Sequence, residues 1–283
     1  MIRTMVTAAN TMGQIQKELD IIGHNISNVN THGYKAQQVT FNELLYQQFQ
    51  NDKGDSRSPR ETDLGIRYGV GAKLGQSKTN WKTGNFQQTG QALDFAIQNP
   101  KIYFNILKST EQNDQLTVQD EVYTRKGNFY AQPLGNGQAM LVNEDGHPVL
   151  AMGGQVIQFS EDVRSFSLAD GGQLEVALNN GTVERFQLQL TKIERPDLMR
   201  RIGDSQLALP DNQDVYPIQN ILTDLLTIEE RQAARIQQGT LEQSNVQMER
   251  EMTELINSQR SYQMNARTVT LADQMLGLVN NIR

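Results

Sequence analysis

The chain has 283 residues with a formal net charge of −6, and it contains no cysteine. A negative net charge without a basic cluster argues against a nucleic-acid-binding protein, which needs a positively charged face. The absence of cysteine excludes disulfides, thiolate catalysis and cysteine-based zinc sites.

Residues 1–35 are predicted to form the N-terminal helix of an inner coiled-coil core, with the helix itself covering about residues 3–28. All seven prolines lie between Pro59 and Pro217, so this helix breaker is absent from both ends of the chain. Asn and Gly in the segment 28–33 tolerate the left-handed conformation and are predicted to end the helix. A row of mostly apolar side chains recurs at the alternating steps of three and four residues that are typical of a coiled coil: Ile2, Met5, Ala9, Met12, Gln16, Leu19, Gly23 and Ile26.

The middle of the chain is predicted to be a linker followed by a β domain. Residues 36–65 form the linker or extended segment, because their central part is charged, contains Ser and Pro, and shows no periodicity. Residues 66–215 form a mainly antiparallel β domain. Its hairpins are indicated by tight turns between alternating apolar residues, at Asn136-Gly137, Asp145-Gly146, Asp170-Gly171 and Asn180-Gly181.

The C-terminal part is predicted to be helical. Residues 216–240 form a connecting helical segment, because apolar residues recur there at helical spacing. Residues 241–283 form the C-terminal helix of the inner core, running from about Glu242 to Asn280. Its row consists of Met248, Met252, Leu255, Gln259, Tyr262, Ala266, Val269, Asp273 and Leu276. The predicted fold class is therefore α+β, with N- and C-terminal α-helices packing as a coiled coil and an inserted mainly antiparallel β domain.

No catalytic residue, metal site or cofactor is predicted, so the chain is interpreted as a protein that is not an enzyme. The histidines His24, His32 and His147 lack the spacing of a metal site. Glu144 and Asp145 lie beside His147, but a solvated hairpin tip explains this cluster more simply.

Several segments together resemble one family. Residues 19–35, LDIIGHNISNVNTHGYK, are similar to a signature in which an aliphatic helix ends in Asn-x-x-Asn-Val-Asn-Thr-x-Gly-aromatic-Lys. Residues 239–246, GTLEQSNV, and the helix up to residue 276 continue the similarity, with weaker segments around Lys126 and His147. In this order they resemble the flagellar axial proteins, the rod and hook proteins of the bacterial basal body. One departure follows Ile97, where Gln98-Asn99-Pro100 replaces a Gly-Asp-Gly-Phe-Phe-type turn and the hairpin is predicted to be rebuilt around Pro100.

The resemblance implies a structural subunit of the flagellar basal-body rod that transmits torque from motor to hook. Both terminal helices are then expected to polymerise into the inner layer of a hollow helical tube, with the β domain facing outward. The implied partners are copies of the chain itself, other rod and hook proteins, and the flagellar type III export apparatus, with no nucleic acid and no membrane insertion. Export is expected to need no cleaved signal peptide.

The position along the flagellum is less constrained. The length and the stretch 46–66, which resembles the extra linker of distal rod proteins, favour the distal rod. A hook-type or hook-basal-body junction subunit of the same family stays open. Outside the family, a generic coiled-coil adaptor is a second hypothesis, and a secreted enzyme acting on cell-wall glycan, which needs paired carboxylates in a cleft, is a third.

The terminal helices are the predicted functional site. Polar side chains in both rows make an isolated helix pair weak, which favours ends that fold fully only when subunits assemble. The predicted assembly interface consists of Met5, Met12, Leu19, Ile22, Asn25, Ile26, Asn28, Val29, Asn30, Gly33, Tyr34, Leu241, Ser244, Asn245, Val246, Met252, Leu255, Gln259, Arg260, Tyr262, Val269, Met275 and Leu276.

Overall fold

A computed structural model describes the greater part of the chain, in the ranges 2–43, 47–49, 66–68, 72–112, 115–203, 205–210 and 221–281. Most of the predicted linker lies outside these residues, as does the beginning of the predicted connecting helix. Contacts divide the chain into two compact units. The helical unit comprises Met1–Ile26, Gln37–Lys78 and Gln247–Arg283, and the β unit comprises Ser27–Ala36 and Thr79–Val246.

The described chain contains three α-helices: α1, Ile2–Ser27; α2, Ile228–Gln232; and α3, Met248–Asn281. The long helices α1 and α3 confirm the prediction of helices at both ends. No helix among the described residues is long and apolar enough to cross a bilayer. Two short antiparallel strand pairs also belong to the helical unit, Phe41–Glu43 with Ala72–Leu74 and Gln47–Phe49 with Ile66–Tyr68.

The β unit is built on a six-stranded antiparallel sheet. Its strands, in spatial order, are Arg200–Arg201, Gln206–Ala208, Gln115–Thr124, Ile102–Gln112, Leu190–Ile193 and Leu222–Asp224. Two three-stranded sheets accompany it, Tyr130–Pro133, Gln138–Val142 and Gln158–Ser160, and Val163–Ala169, Gln173–Leu178 and Val183–Gln187.

The remaining regular structure consists of short pieces. Three two-stranded pairs are Leu150–Ala151 with Gln155–Val156, Phe95–Ile97 with Ile236–Gln238, and Phe86–Gln88 with Thr240–Glu242. The strands Gln37–Gln38 and Lys78–Thr79 and the 3-10 helix Pro196–Leu198 complete the described elements.

The alternating apolar residues of the predicted hairpins form part of the core of the β unit. In the strand Gln173–Leu178, every second side chain is buried, because successive side chains of a strand point to opposite faces. The turns Asp170-Gly171 and Asn180-Gly181 connect this strand to its two neighbours, so both predicted hairpins are confirmed. The core cluster also contains aromatic pairs, such as Phe104 and Phe129, whose rings meet edge to face at 5.2 Å.

Three predicted elements are corrected. Glu242 ends a strand rather than beginning the last helix, which starts at Met248. The described part of the segment 216–240 contains the strands Leu222–Asp224 and Ile236–Gln238 and the five-residue helix α2 rather than one connecting helix. Its apolar residues Ile221 and Leu225 are buried among the sheets instead.

The expected hairpin at Pro100 is also absent from the described structure. Phe95–Ile97 pairs with Ile236–Gln238, whereas the following strand Ile102–Gln112 pairs with Gln115–Thr124 and Leu190–Ile193. The turn at Pro100 therefore leads from one sheet to another.

None of the positions in the two predicted rows is among the fully buried residues of the helices. In α1 the fully buried residues are Ala8, Ile15, Ile22 and Asn25, whereas Ala9 and Gln16 are exposed. In α3 they are Glu251, Ser258 and Ala272, whereas Met252, Gln259 and Asp273 are exposed. The predicted rows follow mostly apolar residues at steps of three and four, but polar side chains occupy several of the buried positions.

Candidate assembly site

The two sequence motifs, more than 200 residues apart along the chain, meet inside the β unit. The backbone N–H of Gly33 donates to the carbonyl of Glu242 at 2.9 Å. Gly33 has a φ of +69°, a left-handed conformation that glycine adopts without the steric penalty other residues meet. A main-chain hydrogen bond therefore joins the end of the first motif to the second motif.

A buried cluster of three charges fixes the same junction. One carboxylate oxygen of Glu242 lies 2.6 Å from Nζ of Lys35, and the other accepts from Nε of Arg125 at 2.7 Å. All three side chains are almost fully buried. Two cations thus share one carboxylate, and mutual pairing is what makes burial of such charges tolerable.

Arg125 also binds the turn that replaces the expected hairpin. Its guanidinium donates to the carbonyls of Asn99 and Ile102 through one terminal nitrogen and to that of Ile97 through the other, at 2.7 to 2.9 Å. The fixed fork of donors suits several acceptors at once. Arg125 therefore links the rebuilt turn to Glu242.

The segment 81–84 contacts both Glu242 and Lys35, with one donor and one acceptor of its main chain. The N–H of Gly84 donates to the carboxylate at 3.0 Å, and Nζ of Lys35 donates to the carbonyl of Lys82 at 2.8 Å. A Cβ at Gly84 would lie 2.0 Å from the carbonyl oxygen of Gln243, so only glycine fits this approach.

Burial shifts the pKa values of two side chains in and beside the cluster. Desolvation, reinforced by the nearby charge of Arg125, lowers the pKa of Lys35 to about 8 despite the attraction of Glu242. Burial likewise raises the pKa of Tyr103, whose ring lies under the Arg125 guanidinium, to about 12. Both shifts reflect the penalty that a low-dielectric environment places on charged forms.

Asn245 forms a second polar link between the two motifs. Its side-chain oxygen accepts from the N–H of Ala36 at 2.7 Å, and its amide donates to the carbonyls of Asn80 and Lys82 at 2.7 and 2.9 Å. Beside it, Tyr34 packs in a small apolar cluster with Ala36 and Val246. Every hydrogen-bonding group of the Asn245 amide side chain is therefore used to join segments of the β unit.

Two hydrogen-bonded pairs connect α1 and α3 in the helical unit. The Asn25 amide donates to the Glu251 carboxylate at 3.1 Å, and the Ser258 hydroxyl donates to the Glu18 carboxylate at 2.9 Å. The partners are one heptad apart on each helix and run in opposite directions, so the helices are antiparallel at these positions. Asn25 also binds the main chain of Gln37 through both of its polar atoms.

Burial within this contact raises the pKa of Glu251, and the hydrogen bond from Asn25 opposes the rise. The carboxylate is therefore held in a place that favours its neutral form. A polar group at this position adds directional specificity at the expense of helix-pair stability.

A row of apolar side chains on α3 is exposed to solvent. Met264, Leu271, Met275 and Leu278 are 63%, 58%, 46% and 64% exposed. They follow steps of seven, four and three residues, which matches the spacing of a helix-packing surface. This row lies on another side of α3 from the buried residues Glu251, Ser258 and Ala272, and we call it the open row.

The residues of the predicted assembly interface fall into three classes of burial. The buried ones are Ile22, Asn25, Asn28, Gly33, Tyr34, Leu241 and Val246. The half-buried ones are Met5, Met12, Leu19, Ile26, Val29, Ser244, Asn245, Leu255, Tyr262, Val269 and Leu276. The exposed ones are Asn30, Met252, Gln259, Arg260 and Met275.

Sequence reasoning missed the residues that carry most of the polar contacts. Lys35 and Glu242 stand inside the two motifs, and Arg125 stands in the weaker third segment, yet none was assigned a role. The signal available was their charge in otherwise apolar or turn-forming segments, which is weak without knowledge of the partners. Glu251 and Ser258 were missed because the rows were chosen by apolarity.

The chain is thus an α+β protein with a long helix at each end, in which residues of the two sequence motifs hold separate chain segments together. Residues 5–35 match the family described as flagella basal body rod protein. Residues 237–282 match the family described as flagellar basal body rod FlgEFG protein C-terminal. The two matched segments contain Lys35 and Glu242, so the matched motifs are those that the buried charges join.

Comparison over the full length supports the same assignment. The chain is 36% identical over 290 residues to the flagellar hook-basal body complex protein FlhP of Bacillus subtilis, covering 100% of both proteins. It is 31% identical over 284 residues to the flagellar basal-body rod protein FlgG of the same organism, again covering 100% of both. With FlgG of Caulobacter vibrioides it is 30% identical over 279 residues, covering 98% of each. The chain belongs to the flagellar basal-body rod protein family.

Proposed function

We propose that this chain is a structural subunit of the flagellar basal-body rod that polymerises through its terminal helices into a hollow helical tube and transmits torque from motor to hook. Its partners are further copies of itself and other rod and hook proteins. Family membership supports the structural role, and the open row on α3 is the single observation that supports assembly through the helices.

The open row supports assembly because it is apolar, regular and uncovered by the described residues. Exposed apolar side chains at heptad spacing gain free energy by packing against another helix. In a heterologous, non-closing contact the same surface repeats from subunit to subunit and generates a helical array.

The coiled coil between α1 and α3 is part of this proposal. The pairs Asn25 with Glu251 and Glu18 with Ser258 keep one antiparallel register, and continuing it places Thr11 opposite Asn265. Buried polar pairs at heptad spacing fix helix orientation and register, as a buried asparagine does in other coiled coils. The helical unit then presents a defined open row to its neighbours.

Export belongs to the same proposal. The chain reaches the growing structure through the flagellar type III apparatus without a cleaved signal peptide, as expected for a subunit added at the end of a tube. Termini that pack fully only in the assembly suit passage in an unfolded form. Of the possible positions we favour the distal rod, while the similarity to the hook-basal body complex protein FlhP keeps a hook-basal-body position as the alternative.

A double substitution on the open row tests the proposal. Leu271→Glu with Leu278→Glu places two charges on the row without touching the buried contacts of α3. We expect loss of motility and of isolated hook-basal bodies, with unchanged helicity and urea unfolding of the monomer. Leu226→Glu with Ile228→Glu, at two exposed apolar side chains of the β unit, is the matched control and is expected to leave assembly intact. A double variant that still builds basal bodies would refute assembly through this row.

A further inference from the structure

The two Asn-Gly pairs of the sequence, Asn136-Gly137 and Asn180-Gly181, both lie at hairpin turns of the β unit. Asparagine followed by glycine is prone to deamidation, because no side chain on the glycine hinders its main-chain nitrogen from reaching the amide carbon of the asparagine. The two turns contain the same dipeptide but differ in the hydrogen bonds around it. Their reactivity can therefore be compared within one protein.

The reacting groups of the second pair are held by the turn itself. The side-chain oxygen of Asn180 accepts from the main-chain N–H of Thr182 at 2.9 Å and from its hydroxyl at 2.5 Å. Asparagine commonly bonds its own main chain two residues on in this way. The N–H of Gly181, whose nitrogen is the nucleophile of the reaction, donates to the carbonyl of Leu178 at 3.1 Å.

The first pair has neither restraint. Within the described structure, the side chain of Asn136 and the N–H of Gly137 make no hydrogen bond. Both residues are exposed, and the space around the Cα of Gly137 is open. A main-chain bond from Leu134 to Gln138 closes the loop at 2.8 Å, so the loop keeps its shape while both reacting groups face water.

These hydrogen bonds bear directly on the rate of deamidation. The glycine nitrogen attacks only after it has lost its proton, and a hydrogen bond donated by that N–H opposes the loss. A side-chain amide fixed by two donors must also be released before its carbon can be reached. The cost of breaking these bonds adds to the barrier and lowers the rate exponentially.

We propose that Asn136 is a site of spontaneous deamidation, whereas Asn180 is protected by its turn. The deprotonated nitrogen of Gly137 bonds to Cγ of Asn136, and the side-chain nitrogen leaves as ammonia, which forms a cyclic succinimide. Water then opens the ring at either carbonyl and gives aspartate or isoaspartate. The overall change consumes water and releases ammonia, and no electrons are transferred.

The modification alters a contact of the hairpin. Either product adds a negative charge to the turn, and isoaspartate also adds a methylene group to the main chain. The N–H of Glu161 donates to the carbonyl of Gly137 at 3.0 Å, so the altered main chain takes part in the contact between the loop and the end of the strand Gln158–Ser160. Because water does not restore the amide, the modified fraction increases with the age of the chain.

Peptide mass spectrometry of the full chain follows both turns during incubation at mildly alkaline pH, and chromatography separates the asparagine, aspartate and isoaspartate forms. We expect Asn136 to be converted roughly tenfold faster than Asn180, the ratio that follows from breaking the hydrogen bonds of one turn. Thr182→Val removes the hydroxyl donor. It is expected to speed conversion at Asn180 and to leave the rate at Asn136 unchanged, which makes it the matched control.

Unfolding in concentrated urea gives a second comparison that needs no variant. The hydrogen bonds of both turns are then lost, and the two rates are expected to become similar because the dipeptide is the same. Equal rates in the folded chain, or a faster reaction at Asn180, would overturn the proposal. A ratio that urea leaves unchanged would overturn it as well, because the neighbouring sequence and not the fold would then set the difference.

Discussion

Glu242 pairs with two buried cations at once, and this makes it unlike the ion pairs on the protein surface. When one partner of a buried charge cluster is removed, the remaining charges stay buried without compensation. Here the remaining charges are Lys35 and Arg125, which repel each other. The carboxylate is therefore expected to be among the most sensitive single positions of the β unit.

We predict that Glu242→Gln destabilises the chain by about 3–5 kcal/mol in urea unfolding, the range seen when buried ion clusters lose one member. Glu254→Gln removes the exposed partner of Arg250 on α3 and is expected to cost less than about 1 kcal/mol. Equal effects of the two substitutions would contradict the role assigned to Glu242.

Lys35 makes stability depend on pH in a defined window. Its pKa is about 8 in the folded chain and has its ordinary value of 10.5 when unfolded. Between these values the unfolded chain binds a proton that the folded chain does not, so the free energy of unfolding rises with pH. Below about pH 8 Lys35 is protonated in both states, so the free energy of unfolding no longer changes with pH through Lys35 and stays at its lower value.

Lys35→Met should abolish this dependence, because the methionine does not titrate. In unfolding measured from pH 8 to pH 10.5, we predict that the wild type gains stability relative to the variant, by a total on the order of 3 kcal/mol. Comparison with the variant removes the contribution of the tyrosines that titrate in the same range. A constant difference between the two proteins would show that Lys35 keeps its ordinary pKa.

At the scale of single elements, the terminal helices show how the pairing of polar residues decides which side of a helix is buried. The predicted, mostly apolar row passes through Met252 and Gln259, and it differs by one position from the buried row through Glu251 and Ser258. The polar row is buried because its members find partners across the helix pair. A pattern of hydrophobicity cannot identify such partners in advance.

Asn25→Ala tests this contact. The substitution removes hydrogen bonds to Glu251 and to both polar groups of the Gln37 main chain, leaving them unpaired in a buried place. We predict a loss of about 1–3 kcal/mol, seen as faster amide hydrogen exchange in α1 of the monomer. Gln16→Ala, at an exposed position of the same helix, is expected to leave exchange unchanged, and equal exchange in both variants would argue against the Asn25 contact.

The remaining elements could be predicted from the sequence only where the residues that determine them are neighbours along the chain. Hairpins defined by Asp170-Gly171 and Asn180-Gly181 were predicted correctly, because the turn residues and the alternating strands are adjacent in sequence. The strand that ends at Glu242 and the turn at Pro100 were not, because their contacts come from distant segments: Glu242 pairs with Lys35 and Arg125, and Arg125 binds main-chain carbonyls of the turn.

At the scale of the whole molecule, the division into two units predicts where the chain can be cut. A fragment of residues 27–246 retains Glu242 and Asn245, whereas a fragment of residues 27–239 loses both. We predict that the longer fragment unfolds cooperatively in urea and that the shorter one does not fold. If circular dichroism and urea unfolding show both fragments to be equally stable, the two motifs do not hold the β unit together.

Lys35 and Arg125 both precede their shared partner Glu242 in the sequence, and this order matters while the chain is being synthesised. Any chain made from its N-terminus exposes Lys35 and Arg125 long before residue 242 emerges. Until then the site lacks its carboxylate and burial of the two cations is unfavourable. We therefore expect the β unit of a nearly complete chain to stay unfolded until the segment that precedes the last helix has appeared.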